Sequence, residues 1–218
     1  MKQESLTIDA MEDSGILTHD GIDLIQYTIS LPFLKERTPR ARRINRFYAA
    51  VKHRFLHQLR KRFLPRQAAL CADALAQKHK YTPPEYRLCF TVTQNDGTCL
   101  SILREVAVYD AACRCVRAAD LWDAHSGWPL SAADFFPRNA NVKKQVAKLV
   151  AAQAQKRCRH EPHLKGLRPR KIRRAIAADG FYLKNDALTL FFNPGTLVPA
   201  AAGTLEFPLS SVERFPEI

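Results

Sequence analysis

Apolar and polar residues alternate along several stretches of the chain, and most of these stretches end at residues that favour tight turns. The clearest example is the pair of alternating runs on either side of Asn95-Asp96-Gly97, a sequence suited to a hairpin. His19-Asp20-Gly21 is a similar turn, and Asn185-Asp186 interrupts a third, aromatic-rich region. The pattern predicts strands at residues 15–18, 22–31, 86–94, 99–109 and 115–122, a hairpin at 181–192, and a last strand at 204–207.

After Pro39 the apolar residues recur at three- and four-residue steps, which is the periodicity of one face of an α-helix. This stripe consists of Ile44, Phe47, Tyr48, Val51, Phe55, Leu59 and Phe63, and the opposite face is basic. Pro65 lacks a backbone N–H, so we expect it to end or kink this helix before a second helix at residues 68–78.

Two further helices are predicted in the C-terminal half of the chain. One covers residues 141–157, and its inward face consists of Val142, Val146, Leu149 and Val150. The other is short, with Pro169 in its first turn and Gly180 just past its end.

The predicted helices come in blocks, whereas most predicted strands follow one another through turns. This order is typical of an α+β fold with an antiparallel β-sheet meander and helices packed on one face. We expect residues 1–20 to be an N-terminal strand or tail, and residues 21–218 to form a single domain. The predicted core consists of Phe47, Val51, Phe55, Phe90, Val92, Ile102, Val106, Phe181, Leu183, Leu190, Phe192 and Phe207.

Charge is distributed unevenly along a chain whose composition, 46% apolar and 25% charged, is that of a globular protein. The net charge is +13, and residues 35–66 and 143–174 each contain twelve Lys or Arg against one acid. Such basic blocks suit a polyanion such as nucleic acid, although a solvated helix face has the same pattern. The candidate polyanion-binding residues are Arg42, Arg43, Arg46, Lys52, Arg54, Arg60, Lys61, Arg62, Lys143, Lys144, Arg170, Lys171, Arg173 and Arg174.

The sequence contains no apolar stretch near the roughly 18 residues that a membrane span needs, and its first residues lack the apolar core of a signal peptide. We therefore expect no membrane span and a cytoplasmic location. The six cysteines are irregularly spaced, so we expect free thiols rather than a disulfide framework.

No catalytic motif of useful specificity is present, and we predict neither a cofactor nor a bound metal. Cys113 and Cys115 with Cys158 and His160 could supply four zinc ligands, but alternate residues of a strand explain the close cysteine pair more simply. His53 and His57 share a helix face with several arginines, whose positive charge opposes metal binding. An enzymatic role is therefore less expected than a binding role.

Several segments resemble the C-terminal domain of RsiV-type anti-sigma factors, which also occurs in PdaC-like deacetylases. The segments are Arg43-Ile-Asn-Arg-Phe-Tyr48, Leu100-Ser-Ile-Leu103, Gly127-Trp-Pro-Leu130 with Asp134-Phe-Phe136, and above all Gly180–Phe192 with Pro199–Pro208. The resemblance implies a bacterial, non-catalytic binding or sensor-like module that engages a protein partner, and a fold that covers most of the chain from about Gly21.

Two loops of that family align with segments of this chain whose sequences differ from the family pattern. These segments supply the candidate partner-binding residues Cys113, Arg114, Cys115, Gly195 and Thr196. Extracytoplasmic members of the family bind proteins such as lysozyme. Lysozyme is strongly basic, so like charges oppose its binding to the basic helices of this chain, and only the acidic sheet loops would suit it. The alternative function is non-specific nucleic-acid or polyanion binding through the basic helix faces.

Overall fold

The structure is a computed structural model, and it describes residues 5–110, 113–137 and 141–209. The chain divides into two compact units. The N-terminal unit consists of Leu6–Phe90 and Arg104–Cys115, and the C-terminal unit includes Thr91–Leu103 and the described residues from Val116 onward. No helix in the described parts of the chain is long and apolar enough to cross a membrane.

Six strands form one sheet in the order β1-β2-β3-β4-β5-β6, and three more form a second sheet in the order β7-β8-β9. The first sheet contains β1 (Ile8–His19), β2 (Ile22–Leu34), β3 (Glu85–Asn95), β4 (Cys99–Tyr109), β5 (Cys113–Asp123) and β6 (Pro129–Leu130). The second contains β7 (Phe181–Lys184), β8 (Ala187–Phe192) and β9 (Leu205–Leu209). The α+β class is thus confirmed, but the predicted single sheet is two sheets.

The α-helices are α1 (Pro39–Gln58), α2 (Leu64–Ala76), α3 (Val142–Arg157) and α4 (Pro169–Ala175). Helix α1 ends at Gln58, and a π-helical segment, Leu59–Phe63, joins it to α2, which has Pro65 in its first turn; the regular α-helix is therefore interrupted before Pro65, as predicted. The N–H of Leu64 donates to the carbonyl of Leu59, five residues earlier rather than four. This wider turn accommodates a residue that has no N–H to donate and would clash in a regular α-helix.

β2 and β3 pair in parallel, from Gln26 opposite Glu85 to Ile29 opposite Leu88, which corrects the prediction of a wholly antiparallel sheet. The reason lies in the connection between the two strands. A hairpin enforces antiparallel pairing, whereas the long excursion through α1 and α2 can return the chain in the same direction. By contrast β1 and β2, joined by a tight turn at Asp20-Gly21, are antiparallel from Ile8 opposite Leu34 to His19 opposite Ile22.

In the N-terminal unit α1 packs against β2, and both elements contribute fully buried side chains. The buried residues of α1 and the π-helical segment are Ala41, Ile44, Tyr48, Val51, Phe55 and Leu59, which matches most of the predicted stripe. Phe47 is half-buried instead, as are the predicted core residues Phe90 and Val106. The buried stripe, which includes Tyr48 in α1, thus continues to Leu59 in the π-helical segment.

In the C-terminal unit the second sheet and helices α3 and α4 share one apolar core. The predicted hairpin is present, and Asn185 and Asp186 both have positive φ values, 51° and 59°, as a two-residue hairpin turn requires. The core contains the predicted residues Phe181, Leu183, Leu190, Phe192 and Phe207.

Three predictions for this unit are wrong in detail. Val92 is 37% exposed and Leu149 is 46% exposed, because alternation or helical spacing predicts a face but not whether another element covers it. Helix α4 ends at Ala175 rather than next to Gly180, since the backbone of Ile176 is already extended.

Candidate functional site

Helix α4 is a two-turn helix that directs most of its basic side chains away from the core. Pro169 occupies its first turn, where the missing N–H has no intrahelical partner to lose. Ile172 is fully buried and fixes which face points inward. Because the helix repeats every 3.6 residues, its four cations Arg170, Lys171, Arg173 and Arg174 are left on the exposed surface.

The segment after β8 is held tightly at both of its ends. At the start, the Asn193 side chain accepts a hydrogen bond from the N–H of Arg117 (2.7 Å) and donates one to the carbonyl of Arg117 (2.9 Å). Further along, Leu197 and Val198 are buried. Between these anchors the chain turns at Gly195, which has φ +81°, and Thr196 donates its N–H to the carbonyl of Asn193. The exposed Thr196 is therefore fixed in position.

Together α4 and this segment form an open pocket with a volume of about 640 Å³. The described residues that line it are Arg168, Arg170, Lys171, Arg174, Ala175 and Thr196. Lys171 Nζ donates a 2.8 Å hydrogen bond to the carbonyl of Leu197 and so joins the helix to the segment. Its charge is thereby held at the pocket wall.

The pocket is strongly electropositive. Its lining carries four cations and no carboxylate. Within the described part of the chain, the side chains of Arg168, Arg170 and Arg174 form no ion pair. Elsewhere in this unit Arg157 is neutralised by Glu161 at 2.7 Å, and that hydrogen bond lowers the pKa of the Glu161 carboxyl. Among the described residues no such partner balances the pocket, so an anion entering it would meet several guanidinium groups at once.

The structure brings residues from two separate predicted sets into one place. Arg170, Lys171 and Arg174 were candidates for polyanion binding, and Thr196, next to Gly195, was a candidate for partner binding. Arg173 is exposed but does not line the pocket, and neither do Lys143 and Lys144, which lie exposed in the first turn of α3.

Arg168 lines the pocket but was missed by the sequence analysis. It precedes Pro169 and therefore stands at the N-cap of α4, three residues before Lys171. Residues three apart on a helix share a face, so extending the helical spacing by one residue would have found it.

The remaining polyanion candidates belong to the N-terminal unit. Arg42, Arg46, Arg54, Arg60, Lys61 and Arg62 are exposed on α1 and the π-helical segment. Arg43 is half-buried. Lys52 forms a 2.7 Å ion pair with Asp13 of β1, so its charge is balanced within the unit.

The other predicted partner-binding residues form the start of β5 rather than a loop, while residues 111 and 112 lie outside the described part. Cys113 is exposed, Arg114 is hydrogen-bonded to Asp110, and Cys115 Sγ donates to Glu105 Oε1 at 2.9 Å. The six cysteines are free thiols. Among the described residues, no group of three or more His, Cys, Asp or Glu side chains could hold a metal ion.

The residues that line the pocket lie in a segment of the chain that matches a protein-family model. Residues 133–211, which include α3, α4 and the second sheet, match the family model described as a protein of unknown function, DUF3298. No curated protein matches the chain significantly.

Two solved structures share its fold. A DUF3298 family member from Bacteroides fragilis NCTC 9343 has a TM-score of 0.71 at 16% identity, covering 96% of this chain and 92% of that one. A DUF3298 family protein from Pseudomonas aeruginosa PAO1 has a TM-score of 0.60 at 11% identity, with the same two coverages. The chain therefore has the fold of solved DUF3298 family structures, and its residues 133–211 match the DUF3298 family model itself.

Proposed function

We propose that this protein is a non-catalytic binding module, similar in role to the RsiV C-terminal domain, whose α4 pocket takes an acidic segment of a protein partner. The observation that carries this proposal is the convergence of four cations and Thr196 on one pocket. Guanidinium groups bind carboxylates through paired hydrogen bonds, and a threonine hydroxyl can donate one more. The description of the DUF3298 family names no function, so the pocket itself supplies the support.

The dimensions of the pocket favour a peptide segment over a larger anion. The pocket is open to solvent, and its volume of about 640 Å³ suits a few side chains of a peptide. A nucleic-acid duplex is too bulky to enter it. The described lining residues include no Cys, His or carboxylate that could act as a nucleophile or general base, which favours binding over catalysis.

The charge of the pocket also selects among protein partners. A basic protein such as lysozyme would be repelled by these cations, whereas an acidic segment would be attracted and oriented. The partner that we propose is therefore acidic at its contact site. The cytoplasmic location predicted from the sequence stays a prediction, which cell fractionation would test.

The test uses a fluorescently labelled deca-glutamate peptide titrated with the purified protein at 50 mM NaCl. Arg174→Glu reverses a charge inside the pocket, and Arg173→Glu makes the same change on the adjacent residue outside it. We expect Arg174→Glu to weaken binding at least tenfold and Arg173→Glu to weaken it less than threefold. Lys171→Met, which removes the bond to the Leu197 carbonyl, should also weaken binding.

Equal losses in the two charge reversals would show that net charge, not the pocket, attracts the peptide. Absence of binding at 50 mM NaCl would overturn the proposal, provided that circular dichroism shows the protein to be folded.

A further inference from the structure

The solvent face of α1 continues into the π-helical segment Leu59–Phe63, and it carries a row of cations that is separate from the α4 pocket. We define this face as Arg42, Arg46, Arg54, Arg60 and Lys61, with His53 and His57 among them; all seven are exposed. They lie opposite the buried stripe that contains Ile44, Tyr48 and Val51. At 1.5 Å per residue, the row from Arg42 to Lys61 extends over roughly 28 Å.

Among the described residues, the charge of this face has no ion-pair partner. Residues 37–72 contain no Asp or Glu, so the helix itself supplies no counter-charge. Within the described residues, none of the five Arg and Lys side chains of the face forms an ion pair. At the edges of the helix the situation differs, because Arg40 pairs with Glu36 and Lys52 pairs with Asp13.

His53 and His57 fill the middle of the row. Their rings are stacked, with centroids 6.4 Å apart and planes 23° apart, as expected for residues one turn apart on a helix. Each imidazole can donate an N–H to an anion without needing a positive charge. The face therefore presents hydrogen-bond donors along its whole length rather than at its two ends alone.

The composition of the face indicates which anionic surface it fits. A helix that binds a membrane surface needs large apolar side chains at the contact, but none of the exposed large apolar residues of the described chain lies on α1. A linear array of phosphates needs only cations and donors spaced along a line. A row of exposed cations along one helix is complementary in charge to such an array.

We propose that the solvent face of α1 binds the phosphate backbone of nucleic acid without reading base sequence. This activity goes beyond the proposed pocket function and resides in the other compact unit. If all five cations displace counterions, the logarithm of the binding constant falls with the logarithm of salt concentration with a slope of about −4.5. Affinity then drops about 500-fold between 50 and 200 mM NaCl.

The experiment measures fluorescence anisotropy of a labelled 20-base-pair duplex between 50 and 200 mM NaCl. The α1 variant is Arg42→Glu, Arg46→Glu, Lys61→Glu, and the control is Lys148→Glu, Lys156→Glu, Arg173→Glu, which changes net charge equally at exposed residues of the other unit that do not line the pocket. We expect the α1 variant to lose more than tenfold in affinity at 50 mM NaCl and to have a slope shallower by about 3. The control should lose less than threefold.

Three further arms make the outcome decisive. A second duplex of unrelated sequence should bind equally well, and vesicles containing phosphatidylserine should bind much more weakly than the duplex. The milder variant Arg42→Gln, Arg46→Gln, Lys61→Gln repeats the test with less risk to folding. Equal losses in the α1 and control variants, a preference for one duplex, or tighter binding to the vesicles would each overturn the proposal.

Discussion

Ser101 is a fully buried polar residue of β4, and its hydroxyl connects two other strands of the C-terminal unit. The N–H of Leu183 in β7 donates to Ser101 Oγ at 2.9 Å, and the hydroxyl of Thr93 in β3 lies 2.8 Å from the same oxygen. Buried backbone donors are costly when they lack an acceptor. This one side chain therefore satisfies a backbone group of a different sheet.

Replacing Ser101 with alanine should destabilise the protein by about 1 to 3 kcal/mol, because the Leu183 N–H would be left buried without an acceptor. Urea unfolding measures this change. Ser30→Ala in β2 is the matched control, since Ser30 is half-buried and makes no side-chain hydrogen bond within the described residues. Equal effects of the two substitutions would show that the Ser101 hydrogen bonds contribute nothing.

At the scale of elements, a single side chain fastens α1 to the strand that precedes it. Asn45 accepts a hydrogen bond from the N–H of Leu34 at 2.9 Å and donates one to the carbonyl of Leu34 at 2.8 Å. Leu34 is the last residue of β2, and its side chain is buried. The amide thus satisfies both backbone groups of the last residue of β2, and it fixes where the helix packs against the strand.

Asn45→Ala should cost about 1 to 3 kcal/mol of stability, because both backbone groups of Leu34 lose their partner. Thermal unfolding monitored by circular dichroism would detect a loss of this size. The adjacent Arg46→Ala is the control, and its effect should be within about 0.5 kcal/mol because Arg46 is exposed and alanine favours helix. A midpoint for Asn45→Ala equal to that of Arg46→Ala would refute this role of the amide.

At the scale of the whole molecule, each compact unit contains a tyrosine whose ionisation is opposed by burial. Burial raises the pKa of Tyr81 in the N-terminal unit to about 12, and the charges of Cys71 and Tyr86 add to the effect. In the C-terminal unit, burial is the largest cause and the negative charge of Glu206 the second largest that raise the pKa of Tyr182 to about 12. The folded form of each unit therefore favours the protonated, neutral form of its tyrosine.

These shifts predict that stability is lost at alkaline pH. Below the ordinary tyrosine pKa of about 10 both states are protonated and the contribution is complete. As the pH rises from about 10 towards about 12, the unfolded chain loses the phenolic proton first, so unfolding becomes more favourable. Urea unfolding at pH 9, 10 and 11 should show this decline, and Tyr182→Phe should reduce it. An identical decline in Tyr182→Phe would contradict the contribution of Tyr182.

Sequence reasoning recovered the local structure well but the site only in part. The helical spacing from Ile44 to Leu59 and the turn at Asn185-Asp186 gave correct elements, because both patterns act over a few neighbouring residues. The sequence also indicated Lys171 and Thr196 as separate candidates, but not that they border one pocket. Contact between residues so far apart depends on how distant elements pack, which periodicity does not encode.

By itself, the sequence determined the α+β class, most strands and helices, and the concentration of positive charge on α1 and α4. Only the tertiary structure decided the parallel pairing of β2 with β3, the separation of β7, β8 and β9 into a second sheet, and the pocket beside α4. The physical reason is that side-chain patterns record which face of an element is buried. The choice of neighbour is a property of the packed chain, where loop length, core volume and backbone hydrogen bonds must be satisfied together.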